Sequence, residues 1–207
     1  MNMPASLEHL LAGRRAAELL RPEELPQYYL GCIAPDAPNL DGFASKEVRW
    51  SAHLRRPEPE EWIRHALKWL MKEGKPSSLR LGYAVHVVGD AVWDAHFEKK
   101  LQKAVDAAAL SREERFRCRW DEHYRFEQEQ LQADWWLQEV RPLLAQAVPQ
   151  AINGLPETLI GRFRDDLISS YAPAPEGKTV GFVTAERVAA FGQQLCEALQ
   201  PLLKQLG

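Results

Sequence analysis

The stretch Leu79 to Leu101, LRLGYAVHVVGDAVWDAHFEKKL, limits the possible folds more than any other part of the chain. Ser77 and Ser78 follow Pro76, a polar pair where a helix takes its N-cap. From there Leu79, Tyr83, His86, Asp90, Trp93, Phe97 and Leu101 recur at steps of three and four, which is the spacing of one helix face. Ala84 to Val88 is apolar on the other faces too, and a helix apolar nearly all round belongs in the interior. His86 and Asp90 break into this stripe. A buried carboxylate is costly unless it meets a cation or several hydrogen bonds. His86 precedes it by one turn, roughly 5–6 Å between β-carbons, so imidazole and carboxylate can reach one metal ion.

The rest of the chain supplies further helices. Ser6 to about Leu20 has a helical pattern with Leu7, Leu10, Leu11 and Ala17 on its apolar face and His9 beside it. The segment from Arg21 to Phe43, with prolines at 22, 26, 35 and 38, reads as irregular, though Tyr28 to Ile33 within it packs inward and delivers Asp36. A short segment holds Ser51 to Leu54 with His53. A helix begins near Pro59 under Glu58, Glu60 and Glu61 and ends at Gly74; its His65 has no carboxylate one turn away except Glu61 and is left out of any site. Ser111-Arg112-Glu113-Glu114 has the capping-box form and opens a long helix. That helix carries the stripe Phe116, Trp120, His123, Tyr124, Glu127, Leu131, Trp135, with Arg115, Glu122, Arg125 and Glu129 covering its other side and Pro142 ending or kinking it. Two more amphipathic helices follow, about Glu157 to Tyr171 and from near Thr184, the second with Val188, Phe191, Leu195, Leu199 and Leu202 inward. The Pro- and Gly-rich run Tyr171 to Phe182 links them, and Thr179 to Thr184 is too short to assign. The expectation is an all-α, single-domain, multi-helix bundle around a buried metal-binding central helix. Residues 1–147 form its metal-site half and 148–207 its C-terminal helices.

A chain of 207 residues can bury a sizeable core. A net charge of −3 gives no electrostatic case for nucleic-acid binding. Three widely spaced cysteines, Cys32, Cys118 and Cys196, read as free thiols in a reducing compartment. No run approaches the roughly 20 apolar residues of a membrane span, and the N-terminus lacks the pattern of a signal peptide. The expected location is the cytoplasm.

The histidines and carboxylates of these segments make a series: His9, Asp36, His53, His86-x3-Asp90-x5-His96, His123-x3-Glu127. Zinc takes imidazole nitrogen and carboxylate oxygen, and each His-x3-acid pair fits one helix face. Here the chain resembles the zinc-dependent phospholipase C family, distantly related to the zinc-dependent single-strand nucleases. HVVGDAVWDAH carries the H-x3-D-x5-H spacing, HYRFE the later H-x3-E pair, GCIAPD and SAHL the earlier aspartate and histidine, and MPASLEH the opening of intracellular relatives. The resemblance spans about residues 3 to 130. It implies an all-α fold, hydrolysis of phosphate esters and a zinc cluster. By that resemblance Asp36, His53, His86 and Asp90 hold one zinc, His96, His123 and Glu127 a second, and His9 part of a third that Asp90 bridges to the first. In secreted members the mature N-terminal residue adds a ligand to the third zinc, and this chain opens instead with MNMP. Asp94, one turn after Asp90, and Asp121, beside His123, are positions that can replace a family ligand.

The functional expectation is a zinc phosphoesterase of the phospholipase C type with two or three zinc ions, other divalent metals being possible. Its substrate would be a phosphodiester, a phosphomonoester or a phospholipid-like molecule. Asp90 is the central catalytic residue, and Asp36 fits either a ligand or a base acting on the attacking water. No GxSxG or Cys–His arrangement competes with this chemistry. The alternatives are a non-catalytic helical scaffold with a structural metal, and an interaction module in which His86–Asp90 and His123–Glu127 are buried hydrogen-bonded pairs.

Overall fold

The computed structural model describes residues 5–42, 44–72, 74–169 and 177–206. The expected opening at Met3 and Pro4, the end of the Glu157 helix at Tyr171, and part of the linker after it lie outside these residues. The fold is all-α, as the periodicity predicts. In chain order the helices are α1 (Ser6–Leu20), α2 (Leu25–Ile33), a 3-10 segment (Ala34–Asn39), α3 (Lys46–Ala52), α4 (Pro59–Met71), α5 (Ser78–Trp93), a π turn (Asp94–Glu98) and α6 (Lys99–Ala107). They continue with α7 (Arg112–Gln130), a second π turn (Trp135–Val140), α8 (Arg141–Gln146), α9 (Glu157–Ser169) and α10 (Ala185–Leu206).

Helix α5 is the centre. Every residue of it except Arg80 is buried, and its N-cap is the expected Ser77, whose hydroxyl accepts the Arg80 N–H. It packs against α2, α4, α10 and α1. The tightest crossing is with α2, where Gly31 and Gly82 face each other. A Cβ on Gly82 would overlap the Tyr28 carbonyl, and one on Gly31 would overlap the Leu79 carbonyl. Only glycine lets two helix backbones approach this closely. Helix α10 completes the wrap, with Val188, Phe191, Leu195, Leu199 and Leu202 all buried as expected.

Four expectations change. The segment expected to be irregular holds α2, because Pro26 sits in the first helical turn, where its missing N–H costs nothing, and the apolar run Tyr28 to Ile33 is buried against α5. The long helix after the Ser111–Glu114 capping box ends at Gln130, well short of Pro142, which instead sits in the first turn of α8. Phe116 is 66% exposed rather than part of a buried stripe. Glu122, expected on the solvent side, is fully buried and accepts the backbone N–H groups of Val180, Gly181, Phe182 and Val183. Four peptide donors replace the water a surface carboxylate would have, and they hold the segment leading into α10.

Candidate metal centre

Five of the expected residues converge at the middle of α5. His86 and Asp90 come from α5 itself, His9 from the first turns of α1, Asp36 from the 3-10 segment and His53 from the C-cap of α3. Asp90 is the hub. Its Oδ1 lies 3.2 Å from His9 Nε2, and its Oδ2 lies 3.5 Å from His53 Nε2 and 3.6 Å from His86 Nε2. Asp36 closes the other side, with Oδ1 3.3 Å from His53 Nε2 and Oδ2 4.0 Å from His86 Nε2. The rings of His9 and His86 stack at 3.7 Å between centroids. His9, His53, His86 and Asp90 are buried, whereas the Asp36 side chain keeps 15% of its surface and forms the solvent edge.

Two of the imidazoles have their tautomers fixed from behind. His53 Nδ1 donates to the Arg49 carbonyl at 2.8 Å and His86 Nδ1 to the Cys32 carbonyl at 2.7 Å. His86, a neutral ring held this way, turns its Nε2 lone pair forward, which is the arrangement that orients metal-binding histidine, whereas His53 Nε2 meets Asp36 Oδ1 at 3.3 Å. The Nε2 atoms of His9 and His86 and both oxygens of Asp90 are buried without a hydrogen-bond partner. Acceptors thus face acceptors at 3.2–3.6 Å in a dry interior. That arrangement is favourable only with a cation or protons between them. The donor set, three imidazoles and two carboxylates, suits zinc.

Electrostatics agree. Burial and the neighbouring His9 push His86 down to about 4, so its ring is neutral at pH 7 despite two carboxylates nearby. Burial opposes ionisation of Asp36, yet His86, His53 and His9 outweigh it and hold the carboxyl at about 2. His53 goes the other way: burial would lower it, but the hydrogen bond to Asp36 and the charge of Asp90 raise it above the usual histidine value.

The other three expected ligands are not drawn into this cluster. His96 is exposed on the π turn. Six residues after Asp90 a helix has turned by about 600°, so His96 begins some 120° off the Asp90 face, and the π turn does not carry it back. His123 and Glu127 are buried and each also reaches α1: His123 Nδ1 bonds Glu8 Oε1 at 2.8 Å, Glu127 Oε1 accepts the Leu7 N–H at 2.7 Å, and His123 Nε2 is buried with no hydrogen-bond partner. Helix α1 has no side-chain cap of its own, so Glu127 satisfies a first-turn donor from across the fold. Glu8 carries no signal in the sequence, because one carboxylate in a first helical turn looks like an ordinary solvated residue. Asp94 pairs with Arg55, and Asp121 is buried beside the His123 turn without entering either metal-ligating group. His65 lies apart, bonded to Arg56.

Residues 8–153 match the family described as zinc dependent phospholipase C. The chain belongs to that family. The matched span contains all five converging residues and ends before α9 and α10. Searches of curated proteins and of solved structures returned no match. Two overlapping groups of side chains could hold a metal ion, His9–His86–Asp90 and Asp36–His53–His86, each offering atoms within 4.8 Å of one another.

Two expected results separate the cluster from its surroundings. His96→Ala should leave zinc content and melting temperature unchanged, because the ring touches solvent; loss of a zinc ion from this variant, measured by elemental analysis, would restore His96 as a ligand. The Glu8–His123 contact should show a pH signature in chelator-treated protein. Burial lowers the His123 pKa, but Glu8 outweighs it and the net shift is upward. A raised folded pKa stabilises fully below the unfolded value of about 6.5, and that contribution fades as pH rises through the folded value. The melting-temperature deficit of His123→Ala should therefore be larger at pH 6 than at pH 9, and equal deficits would count against the pairing.

Proposed function

We propose that the protein is a zinc-dependent phosphoric ester hydrolase acting on a phosphodiester or phosphomonoester. The observation that carries this reading is the set of buried, partnerless acceptor atoms turned toward one another around Asp90. The division of Asp90 supports two adjacent ions, since Oδ1 faces His9 while Oδ2 faces His53 and His86. Asp36, His53, His86 and Asp90 would hold the first, and His9 with Asp90 part of the second. Bound zinc supplies Lewis-acid stabilisation of phosphoryl oxygens and lowers the pKa of a coordinated water.

The protein's own residues do the rest. The carbonyls of Arg49 and Cys32 keep the imidazoles of His53 and His86 in one tautomer and one orientation. The apolar packing of α5 excludes bulk water from four of the five ligands, which strengthens every charge interaction inside. Asp36 stands at the solvent edge, where substrate and water arrive. A carboxylate held at about 2 is a weak proton acceptor at neutral pH, which favours a role as ligand and as hydrogen-bond acceptor orienting water over that of general base. No helix among the described residues is long and apolar enough to cross a membrane.

The test is zinc titration of chelator-treated protein, followed by hydrolysis of chromogenic phosphodiesters and phosphomonoesters. Binding of two ions per chain and zinc-dependent turnover of at least one ester are expected. Tight zinc binding with no turnover on any ester would leave a structural metal and overturn the enzyme reading.

A further inference from the structure

Beside the cluster sits a cation that the zinc reading does not use. Arg55 lies two residues after His53, and its side chain is 5% exposed. Its Nη2 donates to Asp94 Oδ2 at 3.0 Å, while its Nη1 is buried with no hydrogen-bond partner. The guanidinium lies over the face of Trp62, 4.2 Å from the ring centroid. The same Trp62 donates its indole N–H to the His53 carbonyl at 2.7 Å, so one residue of α4 fixes both the metal-ligand turn and the arginine.

The backbone is bent to achieve this. Leu54, between the two, has φ 50°, a left-handed conformation that costs a non-glycine residue energy. The bend lets the Arg55 N–H close on the Trp50 carbonyl at 2.9 Å. It also sends two side chains separated by one residue to the same helix. His53 meets Asp90 of α5, and Arg55 meets Asp94, one turn further on. Residues one turn apart on a helix are about 5–6 Å apart, so the guanidinium flanks the metal cluster. An unmet buried charged donor carries a penalty that an acceptor oxygen of a ligand would relieve. Asp36 and Asp94 are both part-exposed, one paired with His53 and the other with Arg55.

We propose that Arg55 is a phosphate-binding residue of this site, holding the phosphoryl group of the ester substrate through the free edge of its guanidinium. The inference rests on the phosphoesterase reading. Arginine is the side chain whose planar fork matches phosphate oxygens, and stacking on an indole orients that fork in advance. Asp94 is then its anchor. It holds one nitrogen so that the other points at the substrate, and it is not a metal ligand.

The experiment uses the full chain loaded with zinc and titrated with inorganic phosphate by calorimetry, with zinc content measured for every variant. Arg55→Gln should keep the parent's zinc content and bind phosphate at least tenfold more weakly. Arg55→Lys, which keeps the charge and loses the fork, should fall between the two. Asp94→Asn, which loosens the anchor and keeps the guanidinium charge, should weaken phosphate binding by only a few-fold, clearly less than Arg55→Gln. Equal phosphate affinity in Arg55→Gln and the parent would overturn the proposal. So would loss of affinity in Asp94→Asn as large as that in Arg55→Gln, since the pair would then be structural only, and so would a parent that binds no phosphate. If Arg55→Gln fails to fold, Arg55→Lys decides: weakened phosphate binding at full zinc content supports the role, and unchanged binding removes it. A parent that binds phosphate through Arg55 yet hydrolyses no ester would overturn the enzyme reading and leave this one standing.

Discussion

Asp90→Asn is expected to abolish ester hydrolysis and zinc-dependent stabilisation while leaving the metal-free protein as stable as the parent or more so. Both Asp90 oxygens are buried, lack hydrogen-bond donors and face three imidazoles. In the metal-free protein this carboxylate is an electrostatic burden. An amide of the same shape removes the charge and offers N–H groups to the imidazole lone pairs. With zinc present the sign reverses, because the carboxylate that faces His9, His53 and His86 is gone. Metal-ion stabilisation of transition-state charge is worth several kcal/mol, so a fall in turnover of about a thousandfold or more is expected. Zinc at about a hundred times its dissociation constant stabilises a binding protein by roughly 2.7 kcal/mol, or about 5–10 °C in melting temperature for a chain of this size. That increment should be missing from the variant. Melting curves with and without zinc, run beside His65→Ala as a control outside the cluster, measure both halves of the prediction. A variant that keeps its zinc increment would show that Asp90 is not the hub.

Gly82→Ala should be the most damaging single-methyl change in the protein. The added Cβ would press into the backbone of α2 at Tyr28 and Cys32. Two helices locked by their own hydrogen bonds cannot yield as a flexible side chain would. Overpacking a core costs about 1–3 kcal/mol, and the upper end or beyond is expected where the obstacle is backbone. Melting temperature should fall by at least about 6 °C. The same displacement pulls the Cys32 carbonyl from His86 Nδ1, so zinc affinity should drop together with stability. Gly192→Ala on α10, where the nearest atom to the new methyl is 3.5 Å away, should be neutral or mildly stabilising. A Gly82→Ala protein melting within a degree or two of the parent would mean that the α2–α5 crossing is looser than described.

The sequence by itself determined the helical class, the centrality of α5 and the alignment of His86 with Asp90, because these depend on a 3.6-residue period read within one segment. It also located caps whose partners lie three residues away, at Ser77 and at the Ser111–Glu114 box. Local spacing could not say which of several helix faces meet. His123 and Glu127 share a face of α7, and only the tertiary structure shows that each also has a partner on α1. His96 belongs to the sequence motif and falls outside the cluster, since its direction depends on the accumulated turn of the helix and on a π turn that no residue pattern announced. The glycines at 31 and 82, the buried Glu8 and Glu122, and the Arg55 guanidinium were decided only by packing. Their roles are set by atoms 48 or more residues away for the glycines, Glu8 and Glu122, and by the left-handed turn at Leu54 for Arg55. Periodicity carries the energy of burial within a helix, whereas the charge environment of a site is the sum over every helix that reaches it.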